Sequence, residues 1–459
     1  MDKKKFFEQA VSSPAVALEK TVEASQHVGD VIGSRASLQK ARDFWHVLGP
    51  GLTTGASDDD PSGIATYSQT GAIFGLHLLW LSAFTLPLMA VVQEMCARIG
   101  LVTGRGLAAN IRRHFPPWVL YSCATLLFIA NAFNIGADLG AMAKGAQLLI
   151  PRANFVVLII FFTVLSLALQ IFSTYERYAK YLKWLALILL SYIFTAFLIP
   201  HLPWGEVMHA AVVPSLHFDR QEIIMICAIL GTTISPYLFF WQTSQEVEEQ
   251  ILEGRTTIHQ REGATNQEVS NMHADVWSGM VLSNLVMFFI ILVCGVTLNK
   301  AGITYISTAA EAAEALRPLA GDQAFALFAL GIIGTGMLAV PVLAGSSSYA
   351  LAESLGWKQG LYRNLRSAYG FYGVIIISML FGLAMNFVGI DPIKALVYSA
   401  VLNGLVAPVI LILIVLLASN KKVMQERINR PFTTWLGWAI VGMMTVAGAA
   451  ALFAFFQPS

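Results

Sequence analysis

The chain has 459 residues, of which 56% are hydrophobic and only 12% charged, with a mean hydropathy of +0.63. Soluble domains carry about a quarter charged residues, so the composition excludes a soluble globular protein and points to an all-α polytopic membrane protein. A net charge of +1 gives no reason to expect nucleic acid, and Cys96, Cys123, Cys227 and Cys294 fall singly in apolar segments, which indicates neither disulfides nor zinc.

The chain opens Met1-Asp2-Lys3-Lys4-Lys5, and residues 1–45 are polar, with no apolar core followed by a small-residue cleavage site. They read as a cytoplasmic segment and not as a removed signal peptide. Apolar stretches of about 20 residues then predict eleven spans: 48–75, 78–100, 118–147, 154–173, 178–199, 222–250, 270–298, 323–347, 368–389, 393–418 and 433–456. Positive residues gather in alternate loops: Arg98, Arg105, Arg112 and Arg113; Lys180 and Lys183; Arg255 and Arg261; Lys358, Arg363 and Arg366; Lys421, Lys422, Arg427 and Arg430. By the positive-inside rule the N-terminus is cytoplasmic and the C-terminus external.

The first span contains Ser57-Asp58-Asp59-Asp60-Pro61-Ser62-Gly63 and the sixth Gly231-Thr232-Thr233-Ile234-Ser235-Pro236-Tyr237. Pro-interrupted helices at matching places in two halves are the best sequence pointer to an inverted-repeat transporter. This divides the chain into a first repeat over residues 46–200, a second over 201–420, and an eleventh span with the C-terminus over 421–459.

A carboxylate at membrane depth costs about 2.5–3.5 kcal/mol, so three in succession ask for a cation. Pro61, without an N–H, and the poor helix former Gly63 unwind the backbone here, which is tolerated only where it lines a wet site. Asp60 is the first candidate ligand. Of Asp58 and Asp59, one reads as a ligand or vestibule group and the other as a cap for the second half-helix. Ser57, Ser62, Thr232, with its carbonyl, and Ser235 add hard oxygens, and Gly63, Thr233 and Tyr237 line the site. The hydroxyls of Thr232, Thr233 and Ser235 have a second reading, as groups bonded back to their own helix. No Met, Cys or His falls in residues 53–70 or 231–249, which fits a hard divalent ion.

In the third span Asn131, Asn134 and Asp138 share one helix face. They read as a polar path or as interhelical hydrogen bonds, and of the three only Asp138 titrates. Glu94 and Arg98 read as an intrahelical pair. Gln242, Glu246, Glu248 and Glu249 read as an acidic exit or as a solvated helix end.

These residues resemble the Nramp family of divalent metal transporters. Gly49-Pro50-Gly51, Ala97-Arg98-Ile99-Gly100-Leu101-Val102-Thr103-Gly104-Arg105 and Asp391-Pro392 are similar to its landmarks, and the resemblance covers nearly the whole chain. It implies a LeuT-type fold of two inverted five-helix repeats, here with an eleventh transmembrane helix. The family's Asp-Pro-Gly-Asn reads Asp60-Pro61-Ser62-Gly63, so its metal-binding Asp maps to Asp60 and its Asn to Gly63; its Met-Pro-His reads Ser235-Pro236-Tyr237. These departures resemble the Nramp-related magnesium transporters. Asn131 and Asn134 stand where proton-coupled members carry an acidic pair, which implies transport without protons.

The expected function is import of Mg²⁺, and of Mn²⁺ with it, across a bacterial inner membrane by alternating access, driven by gradient and potential. The metal is substrate, no cofactor is expected, and the chain is not an enzyme. The alternatives are a proton-coupled Mn²⁺ transporter, a Na⁺-coupled organic solute carrier, which the Asp triplet opposes by repelling an anion, and a non-transporting metal sensor. No partner protein is identified besides the lipid bilayer.

Overall fold

The computed structural model describes residues 49–172, 190–217, 219–306 and 308–456. The expected cytoplasmic segment 1–45, and most of the fifth span with Lys180 and Lys183, lie outside them.

Every principal element is a helix: α1 (Pro50–Asp58), α2 (Pro61–Phe74), α3 (Trp80–Thr103), α4 (Leu107–His114), α5 (Pro117–Leu149), α6 (Phe155–Phe172), α7 (Leu190–Leu198), α8 (Trp204–Val212), α9 (Arg220–Thr233), α10 (Pro236–Leu252), α11 (Asn266–Cys294), α12 (Ala324–Leu355), α13 (Tyr369–Met385), α14 (Pro392–Ala418) and α15 (Pro431–Phe456). Short helical turns fill the connections. The predicted spans land on these helices to within a few residues, except that the eighth runs to Leu355 and the ninth stops at Met385. The first span is α1 and α2, the sixth α9 and α10, and α7 is the described part of the fifth. Each set of five spans thus begins with a broken helix, and α15 stands after both. We call the membrane face where α1 begins the near face and the opposite one the far face.

Both breaks follow from local chemistry. Asp60 is extended at φ −65° and ψ 170°, caps α2 through the Gly63 N–H, and is followed by Pro61 in the first turn, where a missing N–H costs nothing. Ser235, at φ −80° and ψ 130°, precedes Pro236 in the same way. Capping, expected of Asp58 or Asp59, therefore falls to Asp60 itself.

α5 packs along α12, α14 against α5 and α9, and α11 against α1 and α3. The α1–α11 crossing is backbone to backbone: a Cβ on Gly55 would lie 2.3 Å from the Gly279 carbonyl oxygen, and one on Gly279 2.1 Å from that of Gly51. Small residues give membrane helices this kind of close approach. Asp275 of α11 reinforces it by accepting from the Gly51 and Leu52 N–H groups at 2.6 and 3.1 Å. Gly279→Val is expected to lower the unfolding midpoint in detergent, because overpacking of this kind costs about 1–3 kcal/mol or more. An unchanged melting curve would show that the contact contributes nothing.

By contrast, α6 and α15 turn much of their surface outward. Val157, Phe161, Phe432, Trp435 and Phe453 are each more than half exposed, an apolar face that suits contact with lipid tails.

Candidate metal centre

The two breaks meet. The Tyr237 hydroxyl, at the start of α10, donates to the Ser57 carbonyl near the end of α1 at 2.8 Å. A Cβ on Gly63 would lie 3.2 Å from both the Asp58 carbonyl oxygen and Thr232 Oγ1, so Gly63 sits in the seam between the halves. Asp58, Asp59, Asp60 and, from α5, Asp138 are all at most 2% exposed.

Asp60 is held by three donors from two elements, α2 and α5. Its Oδ1 accepts from Ser62 Oγ and the Gly63 N–H, both at 2.7 Å, and its Oδ2 from Asn134 Nδ2 at 3.0 Å. A carboxylate offers about four lone-pair positions, so one position on Oδ2 stays open for a further cationic partner. Asn134 Oδ1 lies 2.9 Å from Ser399 Oγ of α14, whose one proton is shared with the Leu396 carbonyl at 2.7 Å.

Asp58 and Asp59 share one hydroxyl: Ser283 Oγ of α11 lies 2.8 Å from Asp58 Oδ2 and 3.3 Å from Asp59 Oδ1. With a single proton it serves Asp58 first, and Asp58 Oδ1 has no hydrogen-bond partner. Neither oxygen of Asp138 accepts a well-formed hydrogen bond, while the charge of Asp60 and the Ser62 N–H both act on it. Among the described residues no Lys, Arg or His forms an ion pair with any of the four. Buried charge without a counter-charge is strongly destabilising, and a bound cation would supply what is missing.

Other expected residues take quieter places. Ser235 Oγ donates back to the Gly231 and Thr232 carbonyls at 2.8 and 2.7 Å, Thr233 Oγ1 to Ile229 at 2.8 Å, and Ser57 Oγ to Thr53 at 2.8 Å. The Gly231 and Thr232 carbonyls at the second break share the one Ser235 proton, while the Thr233 and Ser57 hydroxyls bond back to carbonyls inside their own helices. Asn131 leaves its neighbours on the face: its Nδ2 bonds the Leu343 carbonyl and Ser347 Oγ of α12 at 3.1 and 3.0 Å, an interhelical link. Ser283 and Ser399 were not legible in the sequence, where each is one hydroxyl in an apolar span.

A cavity of about 150 Å³ opens at the far face beside α2, α5, α9 and α14, lined by Ser68, Gln69, Ala141, Met225 and Ile332 among others. Toward the near face, α1 is tied to α10. Gln242 accepts from Thr54 Oγ1 at 2.5 Å and donates to Glu246 at 2.9 Å. Glu248 accepts from the Tyr349 hydroxyl at 2.8 Å and from the Leu361 and Tyr362 N–H groups at 3.0 and 3.1 Å. Gln242, Glu246 and Glu248 are buried, which overturns the solvated-end reading for these three. Glu94 and Arg98 do pair, at 3.5 Å.

The model of the Nramp family, described as natural resistance-associated macrophage protein-like, matches residues 51–454. The chain belongs to the Nramp family. Among Nramp relatives, it is 25% identical over 405 residues to the divalent metal cation transporter MntH of Klebsiella pneumoniae subsp. pneumoniae, covering 87% of this chain and 91% of that protein. A crystal structure of the Eremococcus coleocola manganese transporter superposes with a TM-score of 0.69 at 18% identity, covering 93% of this chain and 90% of that one. Mhp1, a nucleobase-cation-symport-1 family transporter, gives 0.53 at 16% identity over 89% of this chain and 91% of its own, and MhsT 0.53 at 11% over 89% and 98%. The Nramp chain therefore has the LeuT-type fold, two inverted five-helix repeats followed by an eleventh helix.

Proposed function

We propose that this Nramp-family chain imports Mg²⁺, with Mn²⁺ as a second substrate, by alternating access and without proton coupling. One observation carries the reading: four buried carboxylates, without a basic partner among the described residues, converge where both broken helices open, and no Met, Cys or His stands in residues 58–63 or 231–237. Oxygen donors suit hard ions, and Mg²⁺, which dehydrates reluctantly, is held by one or two carboxylates with several waters kept. Gly63 and Ser235, small where the resembled motifs carry Asn and Met, leave room for those waters. The names of the MntH and manganese-transporter relatives support divalent metal transport over catalysis.

Asp60 and Asp58 are the proposed ligands with open positions, and Asn134 orients Asp60. The near face, with its Arg-rich loops, is cytoplasmic by the positive-inside rule, and the membrane is the bacterial inner membrane. Ions enter from the far-face cavity. Breaking the Thr54–Gln242 and Glu248 contacts then opens the path inward. The membrane potential supplies about 2.3 kcal/mol per charge per 100 mV, and twice that for a divalent ion.

Proteoliposomes carrying internal Mg²⁺ and pH dyes under a set potential test this. Mg²⁺ entry with unchanged internal pH is expected, and acidification in step with metal entry would refute uncoupled transport. Asp138, buried with both oxygens unsatisfied beside Asp60, favours a second reading, proton-coupled Mn²⁺ transport. Under that reading Asp138→Asn would abolish the acidification; under ours it leaves pH flat.

A further inference from the structure

Three side chains of ligand type converge at the far face and take no part in the centre around Asp60. His77 lies in the turn between α2 and α3, His217 just before α9, and Glu222 in the first turn of α9. His77 Nε2 is 3.2 Å from Glu222 Oε1 and 2.8 Å from His217 Nδ1, and one donor atom from each residue lies within 4.8 Å of the other two.

The surroundings fix which atoms face inward. Ser215 Oγ donates to the His77 backbone carbonyl at 3.0 Å and lies 2.9 Å from His77 Nδ1. A hydroxyl has one proton, so the second bond runs from Nδ1–H to Oγ, and in the neutral ring Nε2 keeps its lone pair. That lone pair lies 3.2 Å from Glu222 Oε1 and 2.8 Å from His217 Nδ1, whose N–H is its donor while no ion is bound; a metal would take the place of that proton and accept a lone pair from each nitrogen. Glu222 Oε2 accepts from the His217 N–H at 2.9 Å, which holds the second oxygen away from the cluster. Glu222 is 1% exposed and His217 is exposed, giving a fixed floor and an open mouth.

We infer that His77, His217 and Glu222 form a second metal site, for a borderline transition ion of the Zn²⁺ class. Two imidazole nitrogens and one carboxylate with a position left for water are a recurrent zinc set, and a second hydrogen bond orienting a ligating imidazole is its usual support. Bonds of about 2.0–2.2 Å place the donors of a tetrahedral ion about 3.3 Å apart. The Nε2–Oε1 pair already has that spacing at 3.2 Å, the nitrogen pair opens from 2.8 Å by about half an ångström, and the exposed His217 ring swings toward Glu222, whose ligand atom lies within 4.8 Å of its own. Mg²⁺, which prefers oxygen in octahedral geometry, is excluded. An ion here would staple the outer end of α2 to the start of α9, the outer halves of both broken helices.

Co²⁺ titrated into the purified full-length protein in detergent tests the site through its visible absorption. Wild type is expected to give a saturable 1:1 signal, displaced by equimolar Zn²⁺ but not by excess Mg²⁺, and kept in Asp60→Ala. His217→Ala, at an exposed position whose ring packs only on the His77 ring among the aromatic contacts of the described residues, should weaken it at least tenfold, as should Glu222→Gln. An unchanged signal in both variants, its loss in Asp60→Ala, or no signal in monodisperse wild type would overturn the site.

Discussion

Asp60→Asn is expected to abolish Mg²⁺ entry into proteoliposomes while the protein remains monodisperse. The asparagine keeps the hydrogen bond that caps α2, since Asn caps as well as Asp, but removes the charge that faces the ion. Losing one partner of a buried ion pair costs about 3–5 kcal/mol, which is roughly 100- to 4,000-fold in affinity. Asp60→Ala loses both functions and should also melt earlier. Mg²⁺ entry at the wild-type rate through Asp60→Asn would remove this carboxylate from the centre of the mechanism.

The second large effect is on selectivity. Gly63→Asn puts side-chain atoms where a Cβ already stands 3.2 Å from the Asp58 carbonyl oxygen and Thr232 Oγ1. The space for a hydrated ion shrinks, and Mg²⁺, which holds its water hardest, suffers most. Mg²⁺ transport should fall roughly tenfold, about 1.4 kcal/mol, with a smaller loss for Mn²⁺. Adding Ser235→Met supplies a thioether, and Cd²⁺, a soft ion, should then compete with Mn²⁺ where it does not in wild type. Equal losses for Mg²⁺ and Mn²⁺ in Gly63→Asn would show that hydration does not set the preference.

The breaks, the spans and the place of Asp60 at the first break were legible because their signals are local: a proline behind a carboxylate in an apolar run has few readings. Partner choice was not. Asn131 and Asn134 stand one turn apart on one face, yet the first bonds α12 and the second Asp60, a difference made by what packs opposite each turn. Ser283 and Ser399 reach Asp58 and Asn134 across 225 and 265 residues, and no spacing rule spans that. Glu248 looks like a solvated helix end in the sequence, because the Tyr349 hydroxyl and the loop N–H groups that bury it come from another span.

The crossing of α1 and α11 bears on the inward opening proposed above. With Gly55 and Gly279 in backbone contact and Asp275 gripping the first two free N–H groups of α1, the half-helix has no room to peel away by itself. The two elements form one leaf on one hinge, so a crosslink between α11 and the α5–α12 frame should jam the door as firmly as one placed on α1.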